Sequence, residues 1–218
     1  MQRAIVISLI RFQETVNSKL VAVMLNVSPM VVAYNKSWFE QAGLPFPSDT
    51  WTWEEFAETA KALQAKVAPG DQSRQAALFP ANERFLSPMV MSKGGSYVSP
   101  DGSTLRDYLD GKESVAALQW YRDQIKNKVF HTRPDLDQII PDMENNQIGM
   151  AVVNYDSTFM IKPESKSKIG LVGLPKFKDG QRVTTAISNA IGISAKSKNP
   201  QLAWAFLKML AMDENEIT

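Results

Sequence analysis

Apolar, β-branched runs alternate along this chain with stretches that have a helix start signal, an apolar face and a stop. Residues 19–33, 148–153, 169–174 and 183–194 are of the first kind. Strands interleaved with amphipathic helices need helices layered on a sheet, so the pattern predicts an α/β fold. All-helical bundles and all-β sandwiches are excluded on that ground. In the 19–33 run, Asn26 to Pro29 is expected to break the β structure. Pro29 has no N–H to give a ladder and belongs at an edge or a crossing point.

The helices announce themselves locally. Asn35 is a fit N-cap for a short helix that Gly43 and Pro45 would stop. Thr52-Trp53-Glu54-Glu55 reads as a capping box, with Trp51 and Phe56 placed as a hydrophobic staple. Trp53, Phe56, Ala57, Ala60, Leu63 and Val67 then repeat at helical spacing up to Pro69-Gly70. Trp38, Phe39, Trp51, Trp53 and Phe56 are assigned to core packing and not to a ligand-stacking platform. A helix over 113–127 is expected to turn Val115, Leu118, Tyr121 or Arg122, and Ile125 to one side. Residues 136–146 look helical but should kink or split at Pro141. Gly94-Gly95 and the 99–103 stretch mark turns. Asn199-Pro200 opens a last helix with Leu202, Ala203, Phe206, Leu207 and Leu210 facing inward.

Composition narrows the function. The 218 residues hold 24 Lys and Arg against 23 Asp and Glu, a balance that does not suit a nucleic-acid binder. There is no cysteine and one histidine, His131, so disulfides, thiolate nucleophiles and two-imidazole metal sites are excluded. The absence of cysteine fits either redox compartment. No phosphate-loop, dinucleotide, zinc-protease or nucleophile-elbow motif occurs. His131 has no spaced partner for general-base work and reads as structural or solvated. Lys162, Lys166, Lys168, Lys176, Lys178 and Arg182 are mixed with acids and read as a solvated stretch, not an anion site. No catalytic residue, metal ligand or cofactor is assigned. No apolar run approaches a membrane span, and Arg11 interrupts the first apolar stretch before it reaches signal-peptide length.

Four polar clusters fall where strands end: Asn26 with Ser28, Asn82-Glu83-Arg84-Phe85, Asn154-Tyr155-Asp156, and Ser188-Asn189. Ligands of open α/β sheets lie outside the carboxyl ends of strands, which favours the third cluster because it directly follows the 148–153 strand. Ordinary turn chemistry accounts for each cluster equally well.

Several motifs, in order, resemble the family 1 extracellular solute-binding proteins of ABC importers, the maltose-binding-protein-like group. The carriers are Ala33-Tyr34-Asn35-Lys36 with Phe39-Glu40-Gln41-Ala42-Gly43, then Trp51-Thr52-Trp53-Glu54-Glu55-Phe56. Gly94-Gly95, Asn145-Asn146-Gln147-Ile148-Gly149-Met150-Ala151, Gly173-Leu174-Pro175 and Ser197-Lys198-Asn199-Pro200 follow. The resemblance implies a type II periplasmic-binding-protein lobe, a mixed sheet flanked by helices, with partial pieces of a second lobe. It also implies an internal fragment: 1–25 a remnant of the N-terminal lobe, 26–190 the C-terminal-type lobe with its hinge strands, and 191–218 returning to the first. The implied function is non-enzymatic capture of a sugar or similar polar solute for an ABC permease, outside the cell or in the periplasm, with lipid anchoring an option. The resemblance implies Asn26, Ser28, Asn82, Glu83, Arg84, Phe85, Asn154, Tyr155 and Asp156 as ligand residues, and the strand-end reading adds Ser188 and Asn189. Amides and carboxylates would bond hydroxyls, and Tyr155 or Phe85 would cover an apolar sugar face. Fewer aromatics and more charge than the family's maltose binder point to a smaller or more polar sugar. By itself this length of chain is expected to bind weakly or not at all. The alternatives are a carboxylate-dependent glycosidase using Glu83 and Asp156, and a module that self-associates through surface normally covered by its other lobe.

Overall fold

The computed structural model describes residues 13–16 and 19–212. Strand β1 (Gln13–Val16) leads to β2 (Lys19–Asn35), followed by helices α1 (Lys36–Ala42) and α2 (Trp53–Val67). Then come β3 (Gln75–Leu78), α3 (Glu83–Ser92), α4 (Lys112–Lys126), α5 (Ile139–Glu144) and β4 (Ile148–Asn154). A 3₁₀ segment, Tyr155–Met160, leads towards β5 (Ile169–Gly173), β6 (Ala186–Ile191) and α6 (Pro200–Met212). The chain divides into two compact units, one formed by Pro29–Thr185 and the other by the segments on either side.

In the Pro29–Thr185 unit, β4 is the pivot of a mixed sheet. It runs parallel to β3 and antiparallel to β2, which pairs on its other side with β5. Met30 faces Asn154 and Tyr34 faces Met150 across the β2–β4 ladder. The whole of β4 up to Val153 is buried, as an almost unbroken apolar run in mid-sheet should be. Ala33, Leu78, Ile139, Ile140, Met143, Ile148, Ala151 and Val153 form one continuous core under α5.

The expected caps are present. Asn35 accepts from the Ser37 amide at 3.0 Å, and Gly43 closes α1 in the left-handed region at φ 62°. In the capping box, Thr52 accepts from the Glu55 amide at 3.2 Å, and Glu55 accepts from the Thr52 amide at 2.7 Å. Trp51 meets Phe56 edge-on with ring centroids 5.4 Å apart. The buried residues of α2 are the six that the spacing predicts. Trp53 stacks on Phe79, which in turn meets Tyr121 and Phe130, so the early aromatic stripe is core.

Four expectations are corrected. β2 runs unbroken through Asn26 to Pro29, because the β4 ladder begins at Met30 and Pro29's missing N–H removes no rung from it. α5 is a single short helix with Pro141 in its first turn, where the amide has no intrahelical acceptor to lose. α4 buries Ser114, Ala117 and Tyr121, while Val115, Leu118 and Ile125 are only half-buried and Arg122 is exposed. Hydrogen bonds fix that face: Tyr121 donates to the Phe79 carbonyl at 2.7 Å, and Ser114 to the Tyr108 carbonyl at 2.6 Å. In α6, Leu207 is buried, but Leu202 is 70% exposed and Phe206 57%. Periodicity reports which way a stripe faces, not whether a layer covers it. The His131 backbone extends the sheet edge, bridging to Leu78 of β3, and its side chain is half-buried.

The flanking unit holds β1 paired antiparallel with the first part of β2, together with β6 and α6. The Asn189 amide donates to Asn26 Oδ1 at 3.0 Å there. No helix among the described residues is long and apolar enough to cross a membrane.

Candidate functional site

Because β3 and β4 are parallel, their carboxyl ends open on the same side of the sheet, the side on which α/β folds hold ligands. The chain leaving β3 is fixed by the Tyr121 bond to Phe79 and by Thr132, which accepts from the Ala81 amide at 2.9 Å. That delivers Asn82 as the N-cap of α3, accepting from the Phe85 amide at 3.3 Å. The chain leaving β4 turns at Asn154 into the 3₁₀ segment, where Thr158 Oγ1 donates to the Tyr155 carbonyl at 2.6 Å.

Between these two exits lies a cavity of about 140 Å³. Arg84 and Phe85 come from α3, and Asn154, Ser157 and Met160 from the β4 exit. The start of α5 contributes Asp137, Ile139 and Ile140. The polar groups are therefore an exposed guanidinium, an exposed carboxylate, a hydroxyl and the Asn154 amide. Asn154 Oδ1 is buried and has no hydrogen-bond partner within the protein, an unmet acceptor at the wall of an open cavity.

The eleven sequence-selected residues have different fates. Arg84, Phe85 and Asn154 come together at the cavity. Phe85 is only 2% exposed, so its ring is wall rather than an open face. Asn82 is occupied as a helix cap. Glu83 is exposed in the first turn of α3 and accepts from Ser87 Oγ at 3.1 Å. Burial, with Glu83's charge second, pushes the nearby Tyr97 phenol up to about 12. Tyr155 and Asp156 lie on the 3₁₀ segment, next to the cavity residues in sequence. Asn26, Ser188 and Asn189 lie in the flanking unit, and Ser28 is buried at its edge.

Sequence reasoning missed Ser157, Met160 and Asp137. Ser157 was within reach, one residue past a selected cluster and inside the turn that must follow β4. Asp137 had no such signal, because only the packing of α5 brings it to the cavity. Among the described residues no cluster of acids and histidine is arranged to hold a metal ion.

An open mixed sheet flanked by helices, with its cavity at the carboxyl ends of parallel strands, is the architecture of type II periplasmic binding proteins. The chain belongs to the bacterial extracellular solute-binding protein family, whose profile it matches over residues 4–217. It is similar to an ABC substrate-binding protein of Listeria monocytogenes solved with cycloalternan, at 22% identity and TM-score 0.79, covering 92% of this chain and 50% of that one. A Thermotoga lettingae solute-binding protein bound to α-D-tagatose matches at 21% identity and TM-score 0.77, covering 90% and 51%. The glycerophosphocholine complex of UgpB from Mycobacterium tuberculosis matches at 24% identity and TM-score 0.73, covering 90% and 48%. At these identities the likeness is one of fold. The chain spans about half the length of the solved structures it matches.

Proposed function

We propose that the Pro29–Thr185 unit carries one wall of the solute site of an ABC-importer binding protein, and that the solute is a neutral polyhydroxylated molecule. In this reading the whole protein is extracellular or periplasmic and closes two lobes about a hinge, as periplasmic binding proteins do around ligands. Its partner is a membrane permease. The first lobe is supplied in part by 1–25 and 191–218, with 26–190 forming the second lobe and its hinge strands.

The supporting observation is the unpartnered Asn154 Oδ1 at a cavity that also presents Arg84, Ser157 and Asp137. An acceptor, a fork of donors, a hydroxyl and a carboxylate suit the paired donor and acceptor character of sugar hydroxyls. With one cation and one anion, the lining gives a charged solute no net attraction. The cavity is smaller than the roughly 300–1,000 Å³ usual for an enclosing small-molecule site, so affinity for this length of chain should be weak, in the millimolar range. Membership of a binding-protein family supports a non-enzymatic role. Glu83, exposed and bonded to Ser87, lacks the desolvated setting a glycosidase acid requires.

Saturation-transfer NMR against D-glucose, maltose, D-mannitol and glycerophosphocholine tests the proposal. The expected result is millimolar transfer to the hydroxylated ligands that Asn154→Ala weakens, a lost hydrogen bond being worth about 1 kcal/mol. No transfer to any of them, or transfer indifferent to both Asn154→Ala and Arg84→Ala, overturns it. The exposed Leu202 and Phe206 of α6 favour a second reading, self-association through the flanking unit. Light scattering that stays monomeric across concentration removes that reading.

A further inference from the structure

Strand β5 is an edge of its sheet: it pairs with β2, and among the described residues no strand lies on its other side. The register fixes which backbone groups point each way. Asn35 faces Ile169, and one step further the Lys36 amide donates to the Lys168 carbonyl at 2.8 Å. Bonding pairs alternate along an antiparallel ladder, so Gly170 and Val172 turn their amides and carbonyls towards β2, while Ile169, Leu171 and Gly173 turn theirs outward. The Gly173 carbonyl is accordingly taken from outside, by the Trp51 indole N–H at 3.0 Å. From there on, the chain at residues 51–53 covers the edge, with the Trp53 amide donating to the Lys176 carbonyl at 2.9 Å. That cover ends at Gly173. Leu171 is 42% exposed between buried Gly170 and Val172, and no hydrogen bond among the described residues reaches its outward amide or carbonyl.

This open stretch sits in the middle of the basic run whose side chains the sequence assigns to solvent. Residues 162–182 hold six Lys and Arg against two acids, in a chain whose formal net charge is only +1. Lys166, Lys168, Lys178 and Arg182 are exposed and make no ion pair among the described residues. Asp179 is neutralised by Lys93 at 2.7 Å, so Glu164 is the one acid of the run left to oppose them. Arg182 lies against the strand, its Nη1 3.1 Å from where a Cβ on Gly173 would stand.

We infer that the outer edge of β5 at Leu171 is a docking site for an extended acidic segment of a partner protein, added to the sheet as a further strand. An unpaired edge supplies main-chain donors and acceptors, and strand addition uses them for affinity while alternate side chains set specificity. Charge decides the occupant. A second copy of β5 would bring two of these basic runs together, which is how lysines keep edges from pairing with their like. An acidic strand meets the same cations as partners. The segment that fits alternates apolar residues, for the Leu171 side, with carboxylates, for the lysines. None of the cavity's residues takes part, so this surface and the solute site stand or fall separately.

Amide hydrogen exchange followed by NMR tests this on the whole chain, with the peptide acetyl-Glu-Val-Glu-Val-Glu-Val-Glu-amide as probe. In the free protein the Leu171 amide should exchange many times faster than those of Gly170 and Val172. The probe should slow Leu171 by about fivefold or more, the order of one hydrogen bond gained. The peptide with Lys in place of every Glu should not bind. Heparin, an anion with no peptide backbone, should leave the Leu171 amide unprotected. Leu171→Pro removes the outward amide and leaves the β2 ladder its bonds, so it should weaken the probe about fivefold or more. Lys168→Glu combined with Arg182→Glu should weaken it at least as much at low salt. Both of those side chains are exposed, so circular dichroism of the double variant should match wild type, and it carries the test where the proline variant fails to fold. An unprotected Leu171 amide at saturating probe overturns the assignment, as does equal protection by heparin or unchanged affinity in the double variant. Protection of Leu171 that grows with protein concentration alone makes a second copy the occupant and overturns it too.

Discussion

Tyr34 and Gly170 face each other across the β2–β5 ladder, and the tyrosine ring lies over the glycine. A Cβ built on Gly170 would come within 2.1 Å of Tyr34 Cζ, so the absent side chain there is the space the ring fills. Gly170→Ala is expected to destabilise by about 1–3 kcal/mol, the range for overpacking a filled core, with a lower urea midpoint at unchanged slope. Gly170→Ala paired with Tyr34→Ala should lose much less than the sum of the two single changes, because the small residue no longer meets a ring. At this scale the sequence was legible wherever a residue acts on its own backbone neighbours. Asn35, Gly43 and Thr52 could all be assigned from three or four positions on either side. Asp137 and Tyr34 could not, because what matters about them is set by a partner far away in the chain.

Elements were legible in proportion to their punctuation. α2 has a capping box, a staple and a terminal Pro-Gly, and its buried face was read without error. Thr52→Ala should cost about 1 kcal/mol, and Thr52→Ser should recover most of it, measured as thermal midpoints, because serine keeps the capping oxygen. α3 is not among the helices the sequence announces, although Asn82 caps it. Pro88 inside the helix hid it: proline withdraws the amide that would reach back to the Arg84 carbonyl and argues locally against helix. Tertiary packing overrides that penalty, with Phe85, Met89 and Val90 all buried. β3 was missed for a related reason. Its Gln-Ala-Ala-Leu sequence has little β propensity, and it is a strand because β4 pairs with it.

For the whole molecule, stability should be uneven. β4 is buried along nearly its entire length, whereas most large side chains of α6 are exposed. Hydrogen exchange should therefore find the amides of Val152 and Val153 among the slowest and those of α6 many times faster. Equal protection of the two elements would contradict this. The single histidine also gives a clean pH test. Burial first, and the Lys128 charge second, lower the His131 pKa from 6.5, so the folded state takes up its proton less readily than the unfolded chain. Stability is then complete above about 6.5 and falls as the pH drops below it, where the unfolded state binds more protons. His131→Gln should flatten the decline in urea midpoint between roughly pH 7.5 and 5.5, because no other side chain ordinarily titrates there.

The placement of the tryptophans bears on how this protein is best observed. Trp38, Trp51 and Trp53 are sealed in the core, Trp120 is half-buried on α4, Trp204 lies on α6, and none of the five lines the cavity beside Asn154. If the proposed solute settles against Arg84, Asn154 and Ser157, it meets no tryptophan at that cavity. A flat emission trace on titration would record where the reporters are, not an empty site. A screen for the natural solute needs a signal from the ligand itself or a reporter introduced at a cavity residue such as Ser157.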